Sequence, residues 1–484
     1  SRLVTTSSAG SVAANGRIVP VLRGISGDAS NQFTPAVGSS FGVLAAAGGL
    51  SGSFTGLDQP ASGLPGNARF DALYRADGLS LIVTPGSYAA LSGLGGNAWA
   101  VAQALDSARP AAGVRPDAAR QEVFDALYTT APGTLAPALG SLSGQSYADA
   151  RMAMITAQRM VDSALDQRLT AGGSAFPGQA LNPGEAGYAS LGKSATSSPT
   201  QQTAALQPRR DGVLWGQALY GFGRSGGDRT GPGTDFGMAG ALLGVERSLF
   251  STSLIGGALG YARSNGDPTT DAGGRVSVDS YSVSAYGRTR LGGLTLRGAL
   301  GGTYGKTENR RTIQLGQVQR VAHGETDGYG VFGHLIAGYG LASVSGLELS
   351  PEAGVSLNHF RQGGLTESQA GAFALTLRGE NQTSARTLVG GRLATPLTSD
   401  ERMRFDLKAY WSHELADNVA VQRAGLLGTE FAVSSPQASR DGAVIGASLS
   451  GAIAPKVEVT GSYDGEFRRG ATSHRFSLEA RTRW

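Results

Sequence analysis

The segment from His474 to Trp484 alternates strictly between two kinds of side chain. One file consists of Phe476, Leu478, Ala480, Thr482 and Trp484, and the other of Arg475, Ser477, Glu479, Arg481 and Arg483. A β-strand sends successive side chains to opposite faces, so this strand has one apolar face and one charged face. In an outer-membrane barrel the apolar file meets lipid, the polar file meets a wet lumen, and the last aromatic residue sits at the membrane interface.

The same alternation recurs over about the last 270 residues; Phe405 and Leu407, for example, flank Asp406. We predict about twelve strands, with approximate spans 213–224, 234–248, 252–264, 276–290, 293–308, 323–342, 345–361, 382–397, 401–417, 440–453, 456–468 and 472–484. A closed single-chain barrel prefers an even number. The predicted fold class is therefore mainly β, a 12-stranded antiparallel outer-membrane β-barrel.

The lengths of the predicted connections support a barrel. Short connections are predicted near 249–251, 291–292, 343–344, 398–400 and 454–455, and long polar loops near 225–233, 265–275, 309–322, 362–381 and 418–439. Strict alternation of short and long is the periplasmic-turn and extracellular-loop asymmetry of bacterial outer-membrane barrels. A soluble β-sandwich has no reason to produce it.

Composition excludes several classes of protein. The chain has 484 residues and no Cys, so thiol chemistry and disulfides are excluded. Its mean hydropathy of −0.10 and lack of a long apolar run speak against membrane-spanning helices. The net charge of +4 is small, and the Arg residues alternate along strands instead of clustering. We therefore expect no nucleic-acid partner.

Upstream of the barrel, Gln145–Leu169 lacks Gly and Pro and is rich in Ala, Met, Gln and Arg. We predict a helix of about 25 residues, roughly 37 Å long, which is enough to cross a bilayer. Its six charges, Asp149, Arg151, Arg159, Asp162, Asp166 and Arg168, exclude contact with lipid. We expect a lumenal helix, with these residues facing the barrel interior: Arg151, Arg159, Asp162 and Arg168. A solvated helix on a soluble domain is the alternative.

A polar helix, about twelve barrel strands and a terminal aromatic, in that order, resemble the translocator domain of classical monomeric autotransporters (type V secretion). Phe33–Gly38, Phe41–Leu44 and Gly52–Phe54 resemble the last β-helix rungs of an autotransporter passenger. Arg69–Asp71 and Leu79–Val83 continue this junction, and the helical stretch that precedes the barrel in the family is matched by Asn97, Val101–Asp106 and Ala138–Gly144. The resemblance covers nearly the whole chain.

On this resemblance the chain divides into five parts. They are a β-solenoid, autochaperone-like passenger end (1–95), a helical connecting region (96–143), a lumenal linker helix (144–170), a flexible linker (171–210) and the translocator barrel (211–484). The residues alone support the first part less strongly, through short β-type runs at Ile18–Val21, Phe41–Leu44 and Leu79–Val83 between Gly, Ser and Pro turns. A small soluble β-domain remains the alternative for this region.

The resemblance implies secretion and surface display of the chain's own N-terminal passenger from the bacterial outer membrane. It assigns recognition by the barrel-assembly machinery to the terminal strand, where we expect Phe476, Leu478 and Trp484 to carry the signal. An alternating strand can be captured at a sheet edge. Other expected partners are outer-membrane lipid, periplasmic chaperones and, through the passenger, host or neighbouring cells. Family members that cut themselves carry an Asn in the lumenal helix. Gln145–Leu169 has none, which argues against self-cleavage.

We predict no catalytic residue, cofactor or metal. Gly221–Gly226 matches GxGxxG, but no helix is predicted to follow it. The five His residues are scattered, and only His359, at a predicted loop end, is a candidate for a hydrolase site. A porin-like channel and a barrel-type outer-membrane hydrolase remain the alternatives to an autotransporter.

Overall fold

The computed structural model describes residues 2–7, 10–22, 33–171, 212–250, 252–270, 274–341, 346–400 and 402–483. Trp484 and residues 172–210 of the predicted linker lie outside the described residues.

The N-terminal part begins with short strands. They are β1 (Leu3–Thr5), β2 (Val12–Ala14), β3 (Arg17–Ile18), β4 (Ser40–Ala46), β5 (Leu50–Gly52), β6 (Gly56–Leu57), β7 (Ala68–Arg75) and β8 (Gly78–Pro85). β1, β2 and β3 pair in parallel with β4, β5 and β6, so two successive turns of the chain stack as in a β-helix. β8 pairs antiparallel with both β4 and β7. The predicted run Ile18–Val21 was wrong beyond Ile18, where β3 ends.

Helices follow the N-terminal strands. They are α1 (Gly96–Ala108), α2 (Ala118–Thr129), a 3-10 turn (Pro132–Thr134), α3 (Leu135–Ser141) and α4 (Gln145–Ala171). Asp117 caps α2 by accepting a 2.8 Å hydrogen bond from the Arg120 backbone N–H, which explains where that helix begins. The helix predicted over Gln145–Leu169 is confirmed. In the described part of the chain, no helix combines the length and the apolar character needed to cross a membrane.

Long strands dominate the C-terminal part. They are β9 (Gly212–Ser225), β10 (Thr234–Phe250), β11 (Ser253–Pro268), β12 (Gly274–Leu291), β13 (Leu294–Leu315), β14 (Val318–Tyr339), β15 (Glu348–Gln362), β16 (Leu365–Thr366), β17 (Thr376–Leu377), β18 (Glu380–Pro396), β19 (Met403–Glu414), β20 (Val421–Leu426), β21 (Thr429–Ser434), β22 (Asp441–Ala454), β23 (Val457–Arg468) and β24 (Ala471–Arg483). Within the described ranges, twelve of them close into one antiparallel barrel, in which β24 pairs with β9. The predicted fold class is confirmed.

The alternation of the last strand corresponds to two faces of the barrel wall. Phe476 and Leu478 point outward and are 47% and 59% exposed, whereas Arg475 and Glu479 point inward and are 2% and 5% exposed. Outward apolar residues suit a lipid environment, and inward charges need partners inside the lumen. On this strand the lumenal face is therefore charged, and its charges are buried from water.

A row of tyrosines crosses four neighbouring strands on the outer face. Tyr261, Tyr281, Tyr304 and Tyr329 are direct cross-strand partners on β11, β12, β13 and β14, with ring centroids 5.3 to 6.4 Å apart. Aromatic girdles of this kind lie at membrane interfaces in outer-membrane barrels. β13 and β14 continue well beyond this row, so their hairpin projects past the membrane.

Three predicted loops were wrong in detail. The loop predicted at 309–322 is the continuation of the β13–β14 hairpin, in which Ile313 and Leu315 keep alternating with polar residues up to Gly316, whose φ of 57° permits a tight turn. The loops predicted at 362–381 and 418–439 contain β16, β17, β20 and β21, which form a four-stranded sheet within the described residues. This structure is called the loop sheet below. β16 and β17, of two residues each, are too short for their alternation to stand out in a sequence.

Candidate functional site

The helix α4 runs through the barrel lumen from the long-loop end to the short-turn end. At its start, Gln145 Nε2 donates a 2.8 Å hydrogen bond to the Pro232 carbonyl in the loop between β9 and β10. Near its end, the Leu169 carbonyl accepts a 2.8 Å hydrogen bond from Arg288 Nη1, close to the short turn after β12. The helix therefore has the length and position of a plug.

One side of α4 is apolar and packs on half of the barrel wall. Val161, Ala164, Leu165 and Leu169 share a core with inward residues of β9 to β14, which are Trp215, Leu219, Leu242, Ala258, Tyr286, Ala299 and Phe332. The other side faces charged residues of β13 to β24. This asymmetry fixes the rotation of the helix about its axis, because any other rotation buries charges against the apolar half.

Asp166 is the centre of the charged side. Its carboxylate lies 2.6 Å from Arg297 Nε and 3.3 Å from Lys408 Nζ. Arg297 also forms a bidentate pair with Glu352, at 2.8 and 2.7 Å, and Lys408 pairs with Asp464 at 2.8 Å. A buried charge without a partner is strongly destabilising, and here each charge has at least one opposite neighbour.

Arg168 anchors the last turn of the helix. Its guanidinium pairs with Glu246 on β10, at 2.7 Å, and with Glu479 on β24, and it stacks over the Trp215 ring at 4.7 Å. Beyond it, Arg288 and Arg392 donate to the carbonyls of Leu169 and Thr170, at 2.8 and 3.2 Å. These cations satisfy the free carbonyls and the negative end of the helix dipole.

The other predicted helix residues meet different parts of the protein. Arg159 donates to Ser384 and Glu414, at 2.6 and 3.0 Å. Asp162 accepts from His334 and Ser356, at 2.7 and 3.3 Å. Arg151 instead binds the Gln422 side chain and the Val421 carbonyl on β20 of the loop sheet. The structure thus brings Arg159, Asp162 and Arg168 to the barrel wall and Arg151 to the loop sheet.

A cavity of about 80 Å³ lies between α4 and the charged half of the wall, lined among others by Arg159, Asp166, Lys408, Glu466 and Arg475. At about 15 Å³ for each water molecule, this holds roughly five waters. An extended polypeptide does not fit there while the helix is in place.

The long-loop end of the barrel is covered by the N-terminal helices. Residues of α1, α2 and α3, including Val101, Phe124 and Leu139, share one hydrophobic core with Phe373 and Val433 of the long loops. Arg311 on β13 ties this core together through a bidentate pair with Glu367, at 3.0 and 2.6 Å, and a 3.0 Å hydrogen bond to the Ser141 carbonyl. We call the assembly of α1–α3 with the long loops the helical cap.

Comparison with known proteins identifies the barrel. The profile of the family described as autotransporter beta-domain matches residues 214–464, more than half of the chain. The chain belongs to this family. It is therefore an outer-membrane translocator of the autotransporter type, as the sequence predicted.

Three proteins that are similar to this chain show how much of it is shared with known proteins. Two relatives from Serratia marcescens, each named extracellular serine protease, are 25% identical over 347 residues and 27% identical over 354 residues. The autotransporter chain is covered to 70% in each case but spans only 30% of the length of these relatives. The solved translocator domain of the autotransporter NalP from Neisseria meningitidis is 14% identical, with a TM-score of 0.52, over 70% of this chain and 99% of that one. The latter likeness shows the fold alone.

The residues predicted to guide assembly lie on the outer face of this autotransporter barrel. Phe476 packs on Tyr463 and Phe222, with ring centroids 5.1 and 6.4 Å away, and Leu478 lies two residues further along β24. Trp484 is outside the described residues. β24 is paired on both sides, with β23 and β9, so its backbone is fully engaged once the barrel is closed.

The sequence motifs that resembled chemistry have structural explanations. Gly221–Ser225 forms the end of β9, paired with β10 and β24, and the motif continues into a loop. His359 lies within β15, and its Nδ1 is 2.8 Å from the Thr383 hydroxyl. In the group formed by Asp162, His334 and Ser356, the carboxylate lies between the other two, so the imidazole cannot take the serine proton as a hydrolase requires.

Sequence reasoning missed several residues of the site. Asp166 was recognised as a helix charge but was not placed among the interior contacts, although it contacts two wall cations. Two wall residues were not singled out either: Glu246, which pairs with Arg168 at the end of the helix, and Arg311, which binds Glu367 and the Ser141 carbonyl at the long-loop end. A signal existed, since inward charged residues at polar positions of lipid-facing strands need partners of opposite sign on the helix.

Proposed function

We propose that this translocator secretes its own N-terminal part and displays it on the cell surface, while α4 stays in the lumen as plug and tether. The observation that supports this most directly is the course of α4, which enters the lumen beneath the helical cap and ends at the short-turn side. In outer-membrane barrels, long loops face outward and short turns face the periplasm. Residues N-terminal to α4 then lie outside the cell.

The roles of the five parts follow from this orientation. Residues 1–95 form the end of the passenger, residues 96–143 the connecting region that closes the cap, and residues 144–170 the lumenal helix. Residues 171–210 are assigned as the linker between this helix and the barrel, which spans 211–484. The stacked parallel turns of β1–β6 support the passenger assignment, because a rung offers an edge on which the next rung can form.

Two peptide tags in exposed glycine turns test the orientation. One is inserted at Gly16, at the N-terminal strands, and the other at Gly292, in the short turn between β12 and β13; nothing lies within 4 Å of a Cβ at either position. We expect antibody to reach the first tag on intact cells and the second only after permeabilisation. The reverse labelling pattern would refute surface display.

We further propose that the terminal strand, through Phe476, Leu478 and Trp484, is what the barrel-assembly machinery recognises, with periplasmic chaperones holding the chain beforehand. The outward position of Phe476 and Leu478 supports this, since neither side chain is needed inside the lumen. The same proposal places outer-membrane lipid against the outward file and host or neighbouring cells against the displayed passenger.

We propose a transport role without catalysis for these 484 residues, and a passenger that stays attached. The absence of Asn from α4 supports attachment, because self-cleavage in the pore uses an Asn in this helix. The small lumenal cavity supports a closed state instead of a porin-like channel. In planar bilayers we expect low conductance from the whole chain; a large, steady conductance would favour the channel alternative.

A further inference from the structure

The barrel closes where its first and last strands meet, and loops from both sides rise above this seam. β9 and β24 pair from Val213 with Arg483 up to Ser225 with Ala471. Above them, residues 226–233 lead from β9 to β10, and residues 435–440 lead from β21 to β22. The two sides touch directly through a 2.9 Å hydrogen bond from the Gln437 backbone N–H to the Asp228 carboxylate.

Asn97, at the start of α1, connects the same two sides. Its side-chain amide donates to the Ser434 carbonyl at 2.8 Å and accepts from the Ser434 backbone N–H at 2.8 Å, as another strand would. Its own backbone N–H donates to the Thr230 carbonyl at 2.9 Å. Asn97 is only 4% exposed, so these bonds are sheltered from water. One residue thus holds β21 and the β9–β10 loop together.

The first turn of α1 depends on these contacts. Among the described residues no side chain caps the helix, and the Gly96 N–H donates to the Arg229 carbonyl at 2.8 Å. The first N–H groups of a helix need acceptors outside it, and the β9–β10 loop supplies them here. The helix N-terminus is therefore complete only when it is docked on this loop.

The plug helix joins the same point. Gln145, the first residue of α4, accepts from Asn97 Nδ2 at 2.9 Å and donates to the Pro232 carbonyl at 2.8 Å. The start of the plug, the start of α1 and the loops on both sides of the seam therefore meet at two amide side chains.

We infer that Asn97, with Gln145, is a clasp across the barrel seam: its docking fastens the loops of β9–β10 and β21–β22 to each other and to the plug. Asn97 is a positioning residue, and the clasp can engage only when α1 is on the loop side of the barrel. In secretion, engagement of the clasp marks the completion of transport, and this statement about timing rests on the proposed function. The clasp itself does not, because it is a property of the folded chain.

Hydrogen exchange on the whole refolded chain in detergent tests the clasp. Asn97→Ala removes all three side-chain bonds, Asn97→Asp keeps only the bond from the Ser434 N–H, and Gln103→Ala on the exposed side of α1 is the matched control. For Asn97→Ala we expect at least tenfold faster exchange at Ser434 and at the upper seam, residues 222–226 and 470–474. Asn97→Asp should fall between it and the control.

The ladder between β14 and β15, away from the seam, is the internal reference. Faster exchange confined to the seam and Ser434 supports the clasp, whereas faster exchange of α1 alone, or equally of the β14–β15 ladder, refutes it. If Asn97→Ala does not refold, exchange at the seam is compared with exchange in the β14–β15 ladder for Asn97→Asp alone, and the same outcomes support or refute the clasp. Tag exposure on cells reports the proposed function separately, so failure of surface display would leave the exchange result intact.

Discussion

At the scale of single residues, charged side chains in the lumen form pairs of opposite sign that are buried from bulk water. Arg168 holds two carboxylates, Glu246 and Glu479, that would otherwise face each other inside the barrel. We expect Arg168→Ala to lower the free energy of unfolding by about 3–5 kcal/mol, because it leaves two buried acids without a cation. Urea unfolding in detergent, followed by tryptophan fluorescence, measures this.

The matched control for that substitution is Arg224→Ala. Arg224 pairs with Asp235, but the side chains of this pair are 64% and 47% exposed, so its loss should change the free energy of unfolding far less than the loss of Arg168. Equal effects of the two substitutions would mean that water reaches Arg168, contrary to a filled lumen.

Asp228 gives the seam loops a pH dependence. Burial alone would raise the pKa of its carboxyl, but backbone N–H groups, chiefly those of Gln437 and Thr230, outweigh it and lower the pKa below 3.8. A lowered folded-state pKa means that the stabilisation is present above pH 3.8 and is lost as the pH falls through the lowered value. We expect hydrogen exchange at the Gln437 backbone amide, corrected for intrinsic rates, to accelerate as the pH falls through this lowered pKa. Asp228→Asn should abolish this dependence; an unchanged profile in the variant would contradict it.

At the scale of elements, the alternation of apolar and polar residues predicted the strands well. It did not predict which residues contact one another in the lumen. The barrel strands and α4 could be read from the sequence because polarity with period two, or a long stretch free of Gly and Pro, is local information. The contacts of Asp166 with Arg297 and Lys408 could not, because they depend on the rotation of the helix and on the positions of β13 and β19 at once. The loop sheet was missed for another reason: its apolar residues face α1–α3 instead of lipid.

The terminal strand carries the prediction that belongs to this scale. Phe476→Ala and Leu478→Ala together remove outward side chains that make no lumenal contact, so we expect the closed barrel to keep its stability while its insertion rate in cells falls severalfold. Val283→Ala on β12, which is also outward and exposed, is the control. The heat-modifiable, folded band on gels measures insertion. Normal insertion of the double variant would remove these two residues from the proposed signal.

At the scale of the whole molecule, the N-terminal part and the barrel share one hydrophobic core at the helical cap. Phe124 on α2 and Phe373 in the loop between β16 and β17 are both fully buried in it. The sequence indicated helices before the barrel and polar loops within it, but nothing local showed that these segments complete each other. A core formed from parts about 250 residues apart is a property of the assembled fold.

A double-mutant cycle tests this shared core. Phe124→Ala and Phe373→Ala should each cost about 3–5 kcal/mol, and the double variant should deviate from their sum by about 0.5–3 kcal/mol, because the second cavity opens in a core already loosened by the first. Phe70 belongs to the separate core beneath β4, β7 and β8, so Phe70→Ala should add to Phe373→Ala within about 0.5 kcal/mol. Additivity in both cycles would mean that α2 and the loops are stabilised independently. The cap would then be a loose cover on the barrel, and docking of α1–α3 could not contribute to holding the passenger at the cell surface.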